Sequence, residues 1–295
     1  MNCNSSRLHF VLQFRIPNLE PYKNEISFFH KKTTYNASYT YHRHNGCEIY
    51  LFLSGNIRLY IEQTSFIPAP GSLVVINENE MHRIQTLDNS AYERIVISIK
   101  RQYIDELSTN GISLSECFYR RPHGAQNLRV LSPEALNEFI TLYEGLSSSD
   151  SPNCFGPSIV QNAYASLLLL FVNRQFKATP SLYKNTMPAY ITGTMQYIET
   201  HLDEPICLSV LAKRFSISEG YLSSQFKHHT GLTLRSYLLD RKINCAKKLL
   251  QQGASVTDAC YLSGFNDYSN FIRSFKQEVG LSPGKYRKEF ATPLD

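Results

Sequence analysis

Apolar and polar positions alternate in short runs through the first hundred residues, and then the period changes. Between residues 7 and 100, stretches rich in Tyr, Ile and Val (Tyr39 to Tyr41, Glu48 to Leu53, Ile57 to Ile61, Ser72 to Ile76, Arg94 to Ile99) are separated by Gly, Pro and Asn. That is the spacing of strands in an antiparallel barrel or jelly roll. From Gln102 the period is helical. Ser132-Pro133-Glu134 reads as an N-cap followed by proline at N1, and Leu136, Phe139, Ile140 and Tyr143 line one face. Gly156-Pro157 opens a longer helix to about Phe176, with Ile159, Ala163, Leu167, Leu170 and Phe171 on one side. That side exceeds what a small barrel needs as cover, so the helix is either a dimer seam or a lid packed on its own barrel. Lys177 to Pro188, containing Ala-Thr-Pro-Ser and Asn-Thr-Met-Pro, is the linker candidate. After it helices follow almost without interruption, over 189–201, 208–215, 219–229, 233–251, 256–263, 267–278 and 283–289.

The helical third repeats itself. Phe226-Lys227 is followed by Gly231-Leu232-Thr233, and forty-nine positions on Phe275-Lys276 is followed by Gly280-Leu281-Ser282, with Leu222 and Phe271 each four residues ahead of its Phe. A tight turn precedes each block, Phe215-Ser216-Ile217-Ser218 and Ser263-Gly264-Phe265-Asn266. Two helix-turn-helix units, about 208–230 and 256–278, are how one chain reads two successive major grooves. Leu208, Leu211, Ala212 and Phe215 brace the first unit, and Val256, Ala259, Cys260 and Ser263 the second. Ile217 and Phe265 plug the turns, and Leu222, Phe226, Phe271 and Phe275 face inward. Periodicity then turns Gly220, Ser223, Ser224 and Lys227 outward on the first reading helix. On the second it turns out Tyr268, Ser269, Ile272, Arg273 and Lys276, with Asn270 near the boundary. Arg273 is the strongest candidate for base readout, because a guanidinium pairs bidentately with guanine. Lys227 and Lys276 sit late on their helices, where phosphate is the better partner. Gly and Ser at the centre of the first reading helix give it little direct readout, so its recognition rests on shape and water. The intervening helix, 233–251, would span roughly 28 Å, comparable to the ~34 Å between major grooves on one face of DNA.

Length and charge narrow the picture. The 295 residues exceed one ordinary core, so two domains are expected, 1–177 and 189–295, joined by a linker at 178–188. No segment approaches the roughly 20 apolar residues of a membrane span, and Met1 to Leu12 lacks the plan of a secretion signal. The seven cysteines (Cys3, Cys47, Cys117, Cys154, Cys207, Cys245, Cys260) are scattered and form no Cys-x-x-Cys pair, as expected of reduced thiols in a cytoplasmic protein. A net charge of +5 does not by itself imply nucleic acid. Placement says more, since Lys227, Arg241, Lys242, Lys247, Lys248, Arg273, Lys276, Lys285, Arg287 and Lys288 all fall in or just beyond the repeat.

Residues 190 to 288 resemble the AraC/XylS family of bacterial transcription regulators. The resemblance lies in Leu208-Ser-Val-Leu-Ala-Lys-Arg-Phe-Ser-Ile-Ser, Tyr221-Leu-Ser-Ser-Gln-Phe-Lys, Gly264-Phe-Asn-Asp-Tyr-Ser-Asn-Phe-Ile-Arg-Ser-Phe-Lys, and Gly280-Leu-Ser-Pro-Gly-Lys-Tyr-Arg. It implies a seven-helix domain in which a long helix bridges two helix-turn-helix units, and usually activation of transcription with RNA polymerase as a partner. Carried over residue by residue, it puts base-facing roles on Gly220, Ser223, Ser224, Tyr268, Ser269 and Arg273, flanked by Tyr221, Asn270, Lys227 and Lys276. Gly220 and the serine pair depart from the bulkier polar residues frequent there.

The first half carries a second resemblance. His42-Arg-His44-Asn-Gly-Cys-Glu48 with Gly55 fits a first cupin motif, and Gly71-Ser-Leu-Val-Val-Ile leading to His82 lies close to the second. Asn77 and Asn79 replace the Pro and Gly of that second motif, and no Asn follows His82 at the usual distance. Residues 35 to 100 therefore resemble the cupin-type ligand-binding domains commonly fused to this DNA-binding region. His42, His44, Glu48 and His82 could contact an organic effector, hold a divalent metal as in metal-dependent cupins, or form a structural polar cluster. Tyr39, Tyr41, Arg43 and Arg94 are further candidates for the pocket border.

The sequence thus predicts an α+β protein with an N-terminal cupin-like barrel and trailing helices, followed by an all-α DNA-binding domain. The expected function is transcription regulation as a cytoplasmic homodimer, non-enzymatic and without cofactor or resident metal. The resemblance implies a small effector of the sugar or carbon-source class. The rivals are a metal-dependent cupin enzyme with a DNA-binding tail and a regulator governed by a protein partner.

Overall fold

The computed structural model describes residues 25–33, 41–109, 111–178 and 185–290. Its first half runs β1 (Ile26–Thr33), β2 (Cys47–Ser54), β3 (Ile57–Ile61), β4 (Thr64–Phe66), β5 (Ser72–Ile76), β6 (His82–Thr86), β7 (Tyr92–Ile99), α1 (Arg101–Leu107), α2 (Glu116–Tyr119), β8 (Leu128–Val130), α3 (Pro133–Ser147) and α4 (Pro157–Ala178). All pairings are antiparallel, in a five-stranded sheet ordered β1-β7-β2-β5-β8 and a three-stranded sheet ordered β4-β3-β6.

β2 explains how these layers stack. It is buried from Cys47 to Phe52 because both of its faces are covered. Cys47, Ile49 and Leu51 point to the helices, where they meet Phe139, Leu168, Leu169 and Phe171. Tyr50 and Phe52 point the other way, to Ile57, Leu59, Ile61 and Phe66 of the small sheet. Side chains of a strand alternate faces, so Glu48 shares the inner side with Tyr50 and Phe52.

Strands expected from the sequence at 48–53, 57–61, 72–76 and 94–99 are present. The expected strand at Tyr39 to Tyr41 is not formed as such. Its first two residues lie outside the described residues, and Tyr41 is a bend followed by an isolated antiparallel bridge, His42 to His82. The helical face assigned to the long α4 also needs correction. Ala165, Leu168, Leu169, Phe171 and Val172 are buried on the sheet, whereas Ile159, Leu167 and Leu170 are 73%, 46% and 42% exposed. The helix carries apolar residues on two sides, and Phe171 belongs to the inner one.

The second half is helical, with α5 (Ala189–Thr200), α6 (Leu208–Arg214), α7 (Glu219–Thr230), α8 (Leu234–Gln251), α9 (Val256–Leu262), α10 (Tyr268–Val279) and α11 (Pro283–Phe290). Its boundaries follow its capping residues. Ser218, Thr233, Ser255 and Asp267 each accept a backbone N–H of the first helical turn, and Gly231 and Gly280 close α7 and α10 in the left-handed conformation.

The two halves share a core and a set of ion pairs. Tyr41, Tyr60 and Met81 of the barrel pack with Ile191, Met195, Phe226 and Tyr237 of the helices. Glu62, in the turn between β3 and β4, is 2% exposed and receives Arg241 of α8 at 2.8 Å, with His123 at 3.3 Å and the Met81 amide at 2.6 Å. Burial pushes the Glu62 carboxyl up, but Arg241, then His123 and Arg43, outweigh it and hold the group at about 2. Beside it Arg43 is paired with Asp240. The segment just before α5 is fastened to the barrel too, since the Thr186 amide donates to the Ser65 carbonyl at 2.8 Å.

Candidate DNA interface and effector site

Each reading helix is set by the same local chemistry. In the first unit the chain turns through Ser216 at φ 54°, and the Ile217 amide returns to the Ala212 carbonyl at 3.1 Å. In the second it turns through Gly264 at φ 83°, and the Phe265 amide returns to the Cys260 carbonyl at 3.1 Å. Leu211 and Ala212 of α6 then grip Leu222, while Ala259 and Cys260 of α9 grip Phe271 and Phe275. Full burial of each such side chain is worth about 1.5–3 kcal/mol, which fixes the rotation of the helix above it.

With those residues inward, Gly220, Tyr221, Ser223, Ser224 and Lys227 are exposed on α7, and Tyr268, Ser269, Asn270, Arg273 and Lys276 on α10. Ile272, expected outward, is instead half-buried against the second core. Tyr221 leans on Tyr190 of α5, with ring centroids 6.0 Å apart. Arg273 donates to the Asn270 side-chain oxygen one turn back at 3.1 Å, which holds the guanidinium over the N-terminal half of α10. Not every cation of this region faces outward. Arg241 is buried on Glu62, Lys242 bonds the Gly264 carbonyl, and Lys247 lies over the Tyr286 ring. Their place on α8 turns them to the protein interior, and the repeat's basic surface is correspondingly reduced.

In the barrel the predicted histidines converge. The rings of His42, His44 and His82 lie 4.5–5.0 Å apart by centroid, and one nitrogen from each falls within 4.8 Å of the others. Glu48 joins through His44, with Oε2 3.2 Å from Nε2. Burial, then the charge of His42, pushes His82 down to about 3, so its ring is neutral. Burial pushes Glu48 up, yet the hydrogen bond from His44 and the nearby rings hold it at about 2, so it is ionised. His44 is lowered by burial and raised more by Glu48, for a net rise.

The departures from the second cupin motif are compensated locally. The Asn77 side-chain oxygen accepts the Asn79 amide at 2.9 Å, closing the turn that Pro and Gly would otherwise shape. Glu80, fully buried, accepts Arg121, the Gly124 amide and the Asn77 amide, and so anchors the loop that delivers His82. Arg43 and Tyr41 do not border the histidines as expected. Arg43 reaches Asp240 and Tyr41 donates to the Glu62 carbonyl at 3.0 Å. Arg94 lies over Tyr92, and Tyr39 lies outside the described residues. Two cavities of about 220 Å³ lie elsewhere, one between α2 and α4 near Arg120, Arg129 and Lys177, the other against Leu167 and Leu170 of α4.

Sequence reasoning missed the ion pairs between the halves. Arg241 counts there only among the basic residues of the repeat, and its separation of 179 positions from Glu62 leaves no local trace.

Comparison with known proteins agrees with this architecture. The model of an AraC-like ligand-binding domain matches residues 27–153, and that of a helix-turn-helix domain matches residues 211–289. The HTH-type transcriptional activator RhaS of Salmonella schwarzengrund is 24% identical over 258 residues, covering 85% of this chain and 88% of that protein. Among solved structures, the C-terminal domain of the response regulator yesN from Fusobacterium nucleatum is 32% identical over 32% of this chain and 93% of its own, with a TM-score of 0.31. ToxT from Vibrio cholerae is 14% identical and covers 91% of this chain and 99% of its own, with a TM-score of 0.37. The ligand-binding barrel and the paired helix-turn-helix units, matched in that order, make the chain a member of the AraC/XylS family of transcription regulators.

Proposed function

We propose that the protein activates transcription by laying α7 and α10 into successive major grooves of promoter DNA, under control of a small effector bound by the barrel. The observation that carries this reading is the common frame of the two units, which exposes a polar face at the start of each reading helix. Gly220, Tyr221, Ser223, Ser224 and Lys227 meet DNA from the first unit, and Tyr268, Ser269, Asn270, Arg273 and Lys276 from the second. The effector domain is 1–177, the linker 178–188 and the DNA-binding domain 189–295. His42, His44, Glu48 and His82 form the effector site, and the family resemblance favours a sugar or related carbon source. The outward apolar side of α4, with Ile159, Leu167 and Leu170, suits a homodimer seam. RNA polymerase is the partner activation requires, and promoter DNA places the protein in the cytoplasm.

Selection of binding sites by the full chain from random duplexes tests the DNA reading. The expected winners carry two recognition patches about one helical turn, ~10 base pairs, apart. Failure to enrich any sequence would refute the reading. For the effector, thermal unfolding of the full chain is followed against a panel of sugars. A ligand at 100 times its Kd adds about 2.7 kcal/mol, and the rise should vanish in His44→Ala.

A further inference from the structure

The cavity of about 220 Å³ between α2, β8 and the end of α4 is lined mainly by one sign of charge. Arg120, Arg121, Arg129 and Lys177 surround it, with Glu116 as the carboxylate on its wall. Glu80 lies behind Arg121, so among the described residues of the site four cations meet two carboxylates. A cleft lined by one sign of charge concentrates ions of the other.

The walls are fixed by bonds to the backbone. Arg121, whose side chain is 4% exposed, donates to the carbonyls of Cys117, Ala125 and Val75 as well as to Glu80. Arg129 donates to the carbonyls of Gln126, Leu128 and Phe176. Gln126 presents its carbonyl at a φ of 58°, in the left-handed region that a residue with a Cβ enters at a cost. Asn173 of α4 accepts the Cys117 amide at 2.9 Å and donates to the Leu114 carbonyl at 2.8 Å, which ties α2 to α4.

The rim is built differently. Arg120 and Lys177 are exposed there, and each meets Glu116, at 3.1 and 2.8 Å. A guanidinium has five N–H donors and an ammonium three, so each keeps donors for a second acid group. Glu116 shows what the rim accepts, being itself a carboxylate seated between the two cations. The volume falls below the ~300–1,000 Å³ of pockets for drug-sized ligands, so the guest is small. Cys117 and the Phe176 ring, with the Arg129 guanidinium 4.5 Å from its centroid, make one side apolar. That side suits a short carbon skeleton better than a bare inorganic ion.

We propose that this cavity binds a small organic dianion, a short dicarboxylate or a phosphate monoester, with its charge on Arg120 and Lys177 and its carbons against Phe176. The site shares no residue with the histidine trio or with either reading helix.

The test uses the full chain in a chloride buffer free of phosphate and sulfate. Calorimetric titration follows succinate, glycerol 3-phosphate, glycerol and inorganic phosphate. One molecule per chain of at least one organic dianion is expected, and no binding of glycerol. Affinity should fall about tenfold or more in Arg120→Gln and in Lys177→Gln, both at exposed side chains. It should stay unchanged in Lys31→Gln, on the opposite edge strand of the large sheet. Glu116→Gln should raise affinity several-fold, because the rim cations lose their resident carboxylate; a fall would overturn the placement of the acid group. A preference for succinate or for glycerol 3-phosphate names that group. Absence of binding by both organic dianions, or binding that survives in the double variant of Arg120 and Lys177, overturns the site. Inorganic phosphate bound as tightly as the organic dianions overturns the ligand class and leaves an unselective cationic patch.

Discussion

The two helix-turn-helix units have one frame and different surroundings. The first is built into the barrel, since Phe226 and Tyr237 share a core with Tyr41, Tyr60 and Met81. The second has a core of its own, formed by Ala259, Cys260, Phe265, Phe271, Phe275 and Tyr286. Their reading faces differ in the same sense. Where α7 offers Gly220, Ser223 and Ser224, α10 offers Tyr268, Asn270 and Arg273. The unit packed into the barrel core thus exposes short side chains at the start of its second helix, and the unit with its own core exposes longer ones able to hydrogen-bond. The helix between them serves both, with Arg241 turned to the barrel at Glu62 and its neighbour Lys242 turned to the Gly264 carbonyl of the second turn. The difference teaches that a duplicated motif divides labour by what its members pack against.

The largest test of this comparison lies in the turns. A methyl group on Gly264 would sit 1.8 Å from the Leu202 carbonyl oxygen, at a φ of 83°. Gly264→Ala should cost more than about 4 kcal/mol, seen as loss of the second unit's melting and of operator binding. Ser216→Gly at the matching turn should change stability by less than about 1 kcal/mol, because relief of left-handed strain offsets the added chain freedom. Equal effects at the two turns would mean that the frames are not equivalent.

Next comes Arg241→Ala, which leaves Glu62 buried without its guanidinium. It should cost about 3 kcal/mol, with hydrogen exchange rising around Phe226 and Tyr237 and unchanged around Phe275. Acid should act likewise. Glu62 is held at about 2 against an ordinary 4.5, so its stabilisation is whole above pH 4.5 and fades as the pH falls toward 2. Exchange that rises equally in both units would erase the distinction between them.

Arg273→Ala should weaken operator binding by about 1–3 kcal/mol and relax preference at one position. Ser223→Ala and Ser224→Ala should each change it by less than about 0.5 kcal/mol. A loss at the serines as large as that at Arg273 would show that α7 reads bases after all. The smallest contrast expected is between Lys227→Ala and Lys276→Ala. Each should weaken all sequences alike and reduce the salt slope by about one.

The helical half was readable in the sequence because its signals are local. Ser218, Thr233, Ser255 and Asp267 start helices, Gly231 and Gly280 end them, and Leu222, Phe226, Phe271 and Phe275 mark the inward face. The middle strands were readable from runs such as Leu73 to Ile76. β4 and β8, three residues each, are too short to show any alternation. β1 carries a charged middle, His30-Lys31-Lys32, as an edge strand should, and that hides its period. On α4 the reading grouped Phe171 with Ile159, Leu167 and Leu170, because an apolar residue one position off the stripe can belong to either of two apolar sides. The histidine trio was expected from the resemblance of residues 42–82 to the two cupin motifs. Its setting was not, since the reach of Arg43 to Asp240 and of Glu80 to Arg121 is decided by the packing of distant segments.

The pairing of Glu62 with Arg241 also bears on how such proteins can be recombined. Regulators of this plan invite the exchange of one DNA-reading half for another. Here a transplanted half lacking an arginine at the 241 position would leave a carboxylate stranded in the seam, and the hybrid would start several kcal/mol in debt. A transplant that carries its own arginine but meets a barrel without Glu62 would keep Glu199 and Asp240, 3.5 and 3.7 Å away, as that arginine's partners. The seam is therefore a one-sided requirement, in which a barrel that brings Glu62 needs a helical half that brings the arginine.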